Sequence, residues 1–155
     1  MKRIVLISCV ASKGDTKAKA KDLYRGSLFT KSLAYGLKLK PDKIYILSAL
    51  HYLLELDKEI EPYDVTLKYI TPKELLKKPH LTVLTKAEIK KWGEKVVADL
   101  TNVADIDNDK FIILAGEDYI KPIQDKLRNI EKPFVVNGRK LRQGERVQFL
   151  NNKLK

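Results

Sequence analysis

Four short apolar runs constrain this chain most: RIVLIS at Arg3–Ser8, KIYIL at Lys43–Leu47, KFIIL at Lys110–Leu114 and PFVV at Pro133–Val136. Each is dominated by Ile, Val, Leu or Phe and lacks the strict polar alternation of a half-solvated strand, so each reads as a strand covered on both faces. Helical patterns separate them. Leu28, Phe29, Leu33 and Leu37 recur at near-helical spacing within Ser27–Leu39, and Thr85 with Glu88 forms a capping box ahead of Ile89, Trp92, Val96, Leu100 and Val103. Asp118–Ile130 repeats the pattern with Ile120, Ile123, Leu127 and Ile130, Pro122 being tolerable in or near a first turn. A last short helix is expected over Arg142–Leu150. The alternation predicts an α/β fold: a three-layer sandwich with a mainly parallel sheet of about four strands, flanking helices, right-handed crossovers and the N-terminal strand near the centre.

The 155 residues, 44% hydrophobic and 33% charged, suit one α/β domain over residues 1–155 with a single core. No apolar run approaches the roughly 18 to 20 residues of a membrane span, and Met1–Ile7 is too short for a signal peptide, so a cytoplasmic protein without a membrane partner is expected. Cys9 is the only cysteine and His51 and His80 the only histidines. An intrachain disulfide is excluded, a four-ligand Cys/His zinc cage cannot be assembled, and neither a metal nor an organic cofactor is expected.

The net charge of +11 is uneven: residues 1–50 hold 11 Lys or Arg against 3 acids, leaving 20 against 17 for the rest. A basic excess favours anionic partners, nucleic acid or nucleotide, through counterion release and long-range attraction. Only six of the 31 cationic residues are arginine, however, and arginine is the residue of bidentate phosphate and base-edge recognition. Lysine-rich surfaces also serve solubility alone.

Chemistry-bearing residues bunch just after the second strand, in ILSALHYLLELDKEIEPYDVTL, at the edge where open α/β sheets bind ligands. His51 has the proton affinity for acid or base work, with Ser48 and Glu61 near it in sequence. Glu61 and Asp64 flank Tyr63, with Pro62 stiffening the turn. The loop after strand one carries Ser12, Lys13 and Gly14 where backbone amides and a lysine often hold a phosphate, although no P-loop or dinucleotide glycine pattern occurs. Cys9 precedes it and suits either a thiolate stabilised by Lys13 or His51, or inert packing. Tyr24 is an aromatic within a basic region, and Gly116 with Glu117 and Tyr119 marks the tight turn after strand three. Asn137, Gly138 and Arg139 follow strand four toward the same edge.

The blocks DLYRGSLF, ILSALHYLL and PYDVTL, within residues 4–67, resemble a small, functionally uncharacterised bacterial and phage domain, itself similar to YaaA-type peroxide-stress proteins. QGERVQFL is similar, more weakly, to that domain's terminal block. The resemblance implies an α/β domain whose site is built from Cys9, Lys13, Asp22, Tyr24, Ser48, His51, Pro62, Tyr63 and Asp64, and a link to DNA handling. Two departures touch the implied site. The first loop reads SCVASK instead of a compact cysteine-lysine run, and Tyr52 stands where the domain has glycine, so a bulky side chain would narrow a pocket that glycine leaves open.

The leading expectation is an enzyme acting on a nucleotide or nucleic-acid base, with cleavage or exchange at an N-glycosidic bond. Tyr24, Tyr52 or Tyr63 would hold the base, Asp64 or Glu61 would position water or stabilise positive charge on the sugar, and His51 would assist the leaving base. Ser12, Lys13, Gly116 and Glu117 would complete the binding site. The alternative is a non-catalytic, basic nucleic-acid-binding module related to YaaA-type DNA-binding stress proteins. A third reading is a phosphate-sugar enzyme that ignores polymers.

Overall fold

The computed structural model describes residues 1–155. In chain order the elements are β1 (Arg3–Ser8), β2 (Ala18–Lys19), α1 (Ala20–Leu23), α2 (Ser27–Lys38), β3 (Lys43–Ser48), β4 (Tyr52–Glu55), β5 (Glu59–Ile60), β6 (Val65–Thr66) and α3 (Pro72–Leu76). They continue with β7 (Thr82–Val83), α4 (Lys86–Val103), β8 (Lys110–Leu114), α5 (Glu117–Gln124), β9 (Ile130–Glu131), β10 (Val135–Val136), β11 (Arg139–Lys140) and α6 (Gln143–Leu154).

The main sheet has five strands in the order β4-β3-β1-β8-β9. Four run parallel, and β4 folds back antiparallel on β3. The expected α/β class, mainly parallel sheet and central N-terminal strand are all present. In β1, Ile4, Val5, Leu6 and Ile7 are buried, as the continuous apolar run requires of a strand covered on both faces. No helix is long and apolar enough to cross a membrane.

Strand four is a correction. Pro133–Val136 does not join the main sheet; Val135 and Val136 pair antiparallel with Lys140 and Arg139 in a separate hairpin. Its two-residue turn is Asn137-Gly138, with φ of 51° and 76°, the doubly positive geometry that an Asn-Gly pair favours. The outer parallel strand is instead Ile130–Glu131, paired with Phe111 and Ile112. Ile130 matches the helical spacing of Ile123 and Leu127, but α5 already ends at Gln124.

The helices associate as two pairs, α2 with α6 and α4 with α5. Gly36 lets α2 lie close on the sheet: a Cβ there would stand 3.1 Å from Val5 Cγ1. The capping box of Thr85 and Glu88 starts α4 as expected. Pro122 is a second correction, for it lies inside α5 beyond the first turn. That helix is only eight residues long, and Pro122 marks the place where α4 comes closest: a Cβ on Gly93 would fall 2.4 Å from the Pro122 carbonyl oxygen.

The same substitution should therefore act oppositely on two helices. Gly93→Ala overpacks the α4–α5 contact and is expected to cost about 1–3 kcal/mol. Gly144→Ala, with open space around its Cβ near the start of α6, should be neutral or stabilise by up to about 1 kcal/mol. Urea midpoints at unchanged m-value test both.

Candidate functional site

β1 lies between β3 and β8. The chain leaves β1 through α2 to reach β3 on one side, then crosses over through α4 to reach β8 on the other. The strand order thus reverses between β1 and β8, and open α/β sheets bind ligands in the crevice outside the carboxyl ends at such a point. A cavity of about 620 Å³ sits there, lined by the segment Ser8–Lys13 after β1 and by Gly116–Tyr119 after β8. Arg25–Leu28, Asp64–Thr66 and Lys68 form further walls, and α6 contributes Gln143 and Arg146. The volume falls in the range of small-molecule and cofactor sites.

The loop after β1 is fastened to the segment before α2. Gly14 N–H donates to Leu23 O and Arg25 N–H donates to Ser12 O, both at 2.9 Å, and Lys13 bridges to Tyr24 between them. The Arg25 guanidinium lies against Gly14, where a Cβ would come 2.9 Å from Nη2. This short zipper lifts Lys13 over the Tyr63 ring, with Nζ 4.5 Å from the centroid, a cation–π arrangement. Burial pushes the Lys13 ammonium below the ordinary lysine range, with Cys9 and Asp64 opposing that shift.

Behind Lys13 runs a chain of hydroxyls. Tyr24 and Tyr63 share a hydrogen bond between their phenols, and Tyr63 in turn lies 2.7 Å from Ser48 Oγ. Ser48 Oγ also accepts the His51 backbone N–H at 2.9 Å, and the Ser48 carbonyl accepts the Trp92 indole N–H at 2.8 Å. Desolvation raises both phenols well above the usual tyrosine range, so both are neutral donors and acceptors at physiological pH. On the opposite wall the Cys9 thiol donates to the Tyr119 hydroxyl at 3.3 Å, and Tyr119 stacks edge-on against Trp92.

Electrostatically the cavity is cationic, with Lys13, Arg25, Lys68, Lys140 and Arg146 facing Asp64, Glu117 and Asp118. The first residues of α2 and α5 also form wall, and neither helix has a side-chain cap on its first amides. Unspent N–H groups and the positive ends of two helix dipoles add to the side-chain charge. Arg146 is held by its Nε–H donating to Leu141 O at 3.0 Å, while its terminal nitrogens lie beside Gly116, where a Cβ would stand 3.2 Å away. Burial lowers its pKa, with Asp118 and Glu117 opposing. Glu117 also pairs with Lys132 at 3.7 Å.

Of the residues singled out from sequence, Cys9, Ser12, Lys13, Asp64, Gly116 and Glu117 line the cavity together. Ser48, Tyr24 and Tyr63 form the support behind it. Tyr24 is only 2% exposed and its ring packs on Phe29, so it braces Tyr63 and offers no free face. His51, Tyr52, Glu61 and Asp22 stand outside the cavity wall. His51 packs edge-on to Tyr63, and burial, with Lys58 adding to it, lowers its pKa, which favours the neutral ring. Tyr52 does not narrow the cavity. It closes the three-residue loop between β3 and β4 at φ 62°, the left-handed conformation that glycine occupies without strain.

Sequence reasoning missed Arg25, Lys68, Lys140 and Arg146. The scarcity of arginine was the available signal: Arg25 directly precedes Gly26, which caps α2 at φ 96°, and Arg146 belongs to QGERV. Asn137 and Gly138 lie at a hairpin tip, and Arg139 is spent in a bidentate pair with Glu145 at 2.9 and 2.7 Å, which holds the Glu145 carboxyl down at about 2.

Two outcomes test this geometry. Ser48→Ala should destabilise the fold by about 1–3 kcal/mol, since it removes the acceptor of the His51 N–H and one of the two partners of the Tyr63 hydroxyl, and chemical denaturation reads the loss. In peptide-resolved acylation across a pH series, Lys13 should reach half-maximal reactivity at lower pH than the exposed lysines; coincident curves would contradict its desolvated setting.

A family model described as "Family of unknown function (DUF6884)" matches residues 4–152. No curated protein matches the chain.

Proposed function

We propose, for a chain that belongs to the DUF6884 family of unknown function, that the cavity binds a nucleotide and hydrolyses its N-glycosidic bond. The observation that carries the proposal is one cavity lined by Arg25 and Arg146 and also by Lys13 and Asp64. Arg25 and Arg146, beside the first amides of α2 and α5, suit a phosphate, because guanidinium forks and free helix amides both match its oxygens. Val10, Leu28 and Val65 supply apolar wall for a base or sugar face.

The reaction needs only groups on that wall. As the C1′–N bond breaks, positive charge develops on the sugar, and the Asp64 carboxylate stabilises it electrostatically. Water adds its oxygen to C1′ and passes a proton to Asp64. The departing base takes its proton from the Lys13 ammonium, whose lowered pKa makes it a better acid than a free lysine. The proton gained by Asp64 then restores Lys13 through solvent. This assignment moves the acid from His51, which lies off the cavity wall, to Lys13, which lines it. Glu61 and Tyr52 have no part in it. The link to YaaA-type proteins suggested by DLYRGSLF, ILSALHYLL and PYDVTL is part of the same proposal and accords with a nucleic-acid-related substrate.

Incubation with nucleoside monophosphates, tRNA and genomic DNA, followed by mass spectrometry of released small molecules, tests the reading. Free base should appear with the native protein and fall by about 100-fold or more with Asp64→Asn, a loss typical of removing a charge-stabilising group. Arg146→Gln should mainly raise KM. Salt-sensitive binding with no release of base would instead favour the non-catalytic module.

A further inference from the structure

Residues 68–81, KYITPKELLKKPHL, leave the cavity wall and return to it. Lys68 and Leu81 both line the cavity, and Thr82 and Val83 close the excursion by pairing with Val65 and Thr66. Thr82 N–H donates to Asp64 O at 2.9 Å, so the base of the excursion is anchored at the residue assigned to the chemistry. The helix inside it, α3, is ordered by local signals alone: Pro72 at its start and the Thr71 side chain accepting the Glu74 N–H at 3.2 Å. None of its residues is buried.

The composition of this excursion does not suit idle solvent. Tyr69 is 74% exposed and Leu76 is 85% exposed. Around them stand Lys68, Lys73, Lys77 and Lys78 with a single acid, Glu74, and none of the four lysines forms an ion pair. Elsewhere several lysines are neutralised locally, as Lys21 is by Asp57 at 3.2 Å and Lys110 by Glu131 at 2.9 Å. Unpaired lysines interleaved with an exposed aromatic ring are the components of a platform for single-stranded nucleic acid, where phosphates meet cations and a base stacks on the ring.

We infer that residues 68–81 dock single-stranded nucleic acid and deliver one nucleotide of it into the cavity. The inference rests on the nucleotide reading of that cavity and adds that the substrate is a nucleotide within a strand. Lys68 at the rim continues the cationic track from the surface into the wall. A single strand, with no base-paired partner and looser stacking than a duplex, can turn out the base faces that Tyr69 needs and spares the unpairing that entry of a base otherwise requires.

The test is fluorescence anisotropy with a labelled single-stranded oligonucleotide of about ten residues and a nucleoside monophosphate as competitor, over a salt series, a length matching common single-strand site sizes. The variants are the triple Lys73→Ala, Lys77→Ala, Lys78→Ala, and Tyr69→Ala. These positions carry no buried side chain, and circular dichroism confirms that the variants fold. The native protein should bind the oligonucleotide at least tenfold tighter than the monophosphate. The triple variant should lose that advantage and flatten the slope of log K against log salt by about 2, at roughly 0.7 per phosphate contact removed. Tyr69→Ala should weaken oligonucleotide binding about fivefold or more, from the lost stacking. Neither variant should alter monophosphate affinity. Equal binding of oligonucleotide and monophosphate, or an unchanged salt slope in the triple variant, overturns the docking surface while leaving the cavity reading intact. Failure of both ligands to bind removes the cavity reading and the inference together. Competition by polyglutamate or anionic vesicles as strong as by oligonucleotide would make this a general polyanion face and overturn the assignment to nucleic acid.

Discussion

Ser48 is the point on which the site depends. It ends β3, is fully buried, and yet every polar group it carries is used: its carbonyl fixes Trp92 of α4, and its hydroxyl joins the His51 backbone to Tyr63. A buried hydroxyl is tolerable only when satisfied, and this one is satisfied by two partners at once, the His51 N–H and the Tyr63 hydroxyl. Three hydroxyls, on Ser48, Tyr63 and Tyr24, make two mutual contacts, so the proton order along them is set collectively and not residue by residue. Tyr63 is the middle member, and its loss would take away the hydroxyl partner of Tyr24 and one of the two partners of the Ser48 hydroxyl. Such an arrangement holds the Tyr63 ring in one place, and the Tyr63 ring is what Lys13 rests on.

From that support the electrostatics follow. Five cations gathered around one cavity repel one another, and the fold tethers two of them locally: Lys13 over aromatic rings, and Arg146 through Leu141 O and beside Phe134. The three acids on the wall offset only part of the charge. What remains, together with the uncapped starts of α2 and α5, is a standing attraction for an anion that the chain itself does not satisfy. Desolvation of Lys13 and Arg146 lowers both pKa values, and a bound phosphate would reverse that pressure.

Most of the sheet was legible because three strands are continuous apolar runs, a pattern that burial on both faces demands and few other structures tolerate. The fourth was not. Ile130–Glu131 pairs over two residues only, too short for any periodicity to register, while PFVV looks like a strand but is turned aside by Asn137-Gly138 directly after it. The Asn-Gly pair was itself the clue, since it is the strongest short hairpin signal and argues for an adjacent partner strand. Likewise β4 was hidden behind Tyr52, because a tyrosine does not advertise the left-handed turn that a glycine would have announced.

The residue types of the cavity wall were legible in sequence, but which of them share one wall was not, for a reason that strand order explains. Polar residues cluster in sequence after β3, which drew attention to His51 and Glu61. Ligand crevices, however, form where the order of strands reverses, and that lies between β1 and β8, on the far side of β1 from β4. Only the residues of the β3 region that reach back toward β1 can then take part. Asp64 does so because Val65 and Thr66 pair with β7 beside the cavity, and Tyr63 does so through Tyr24 and Lys13. His51, held in the turn to the antiparallel edge strand, lies outside that wall. Topology, which no local pattern encodes, thus divides one sequence cluster into cavity wall and scaffold.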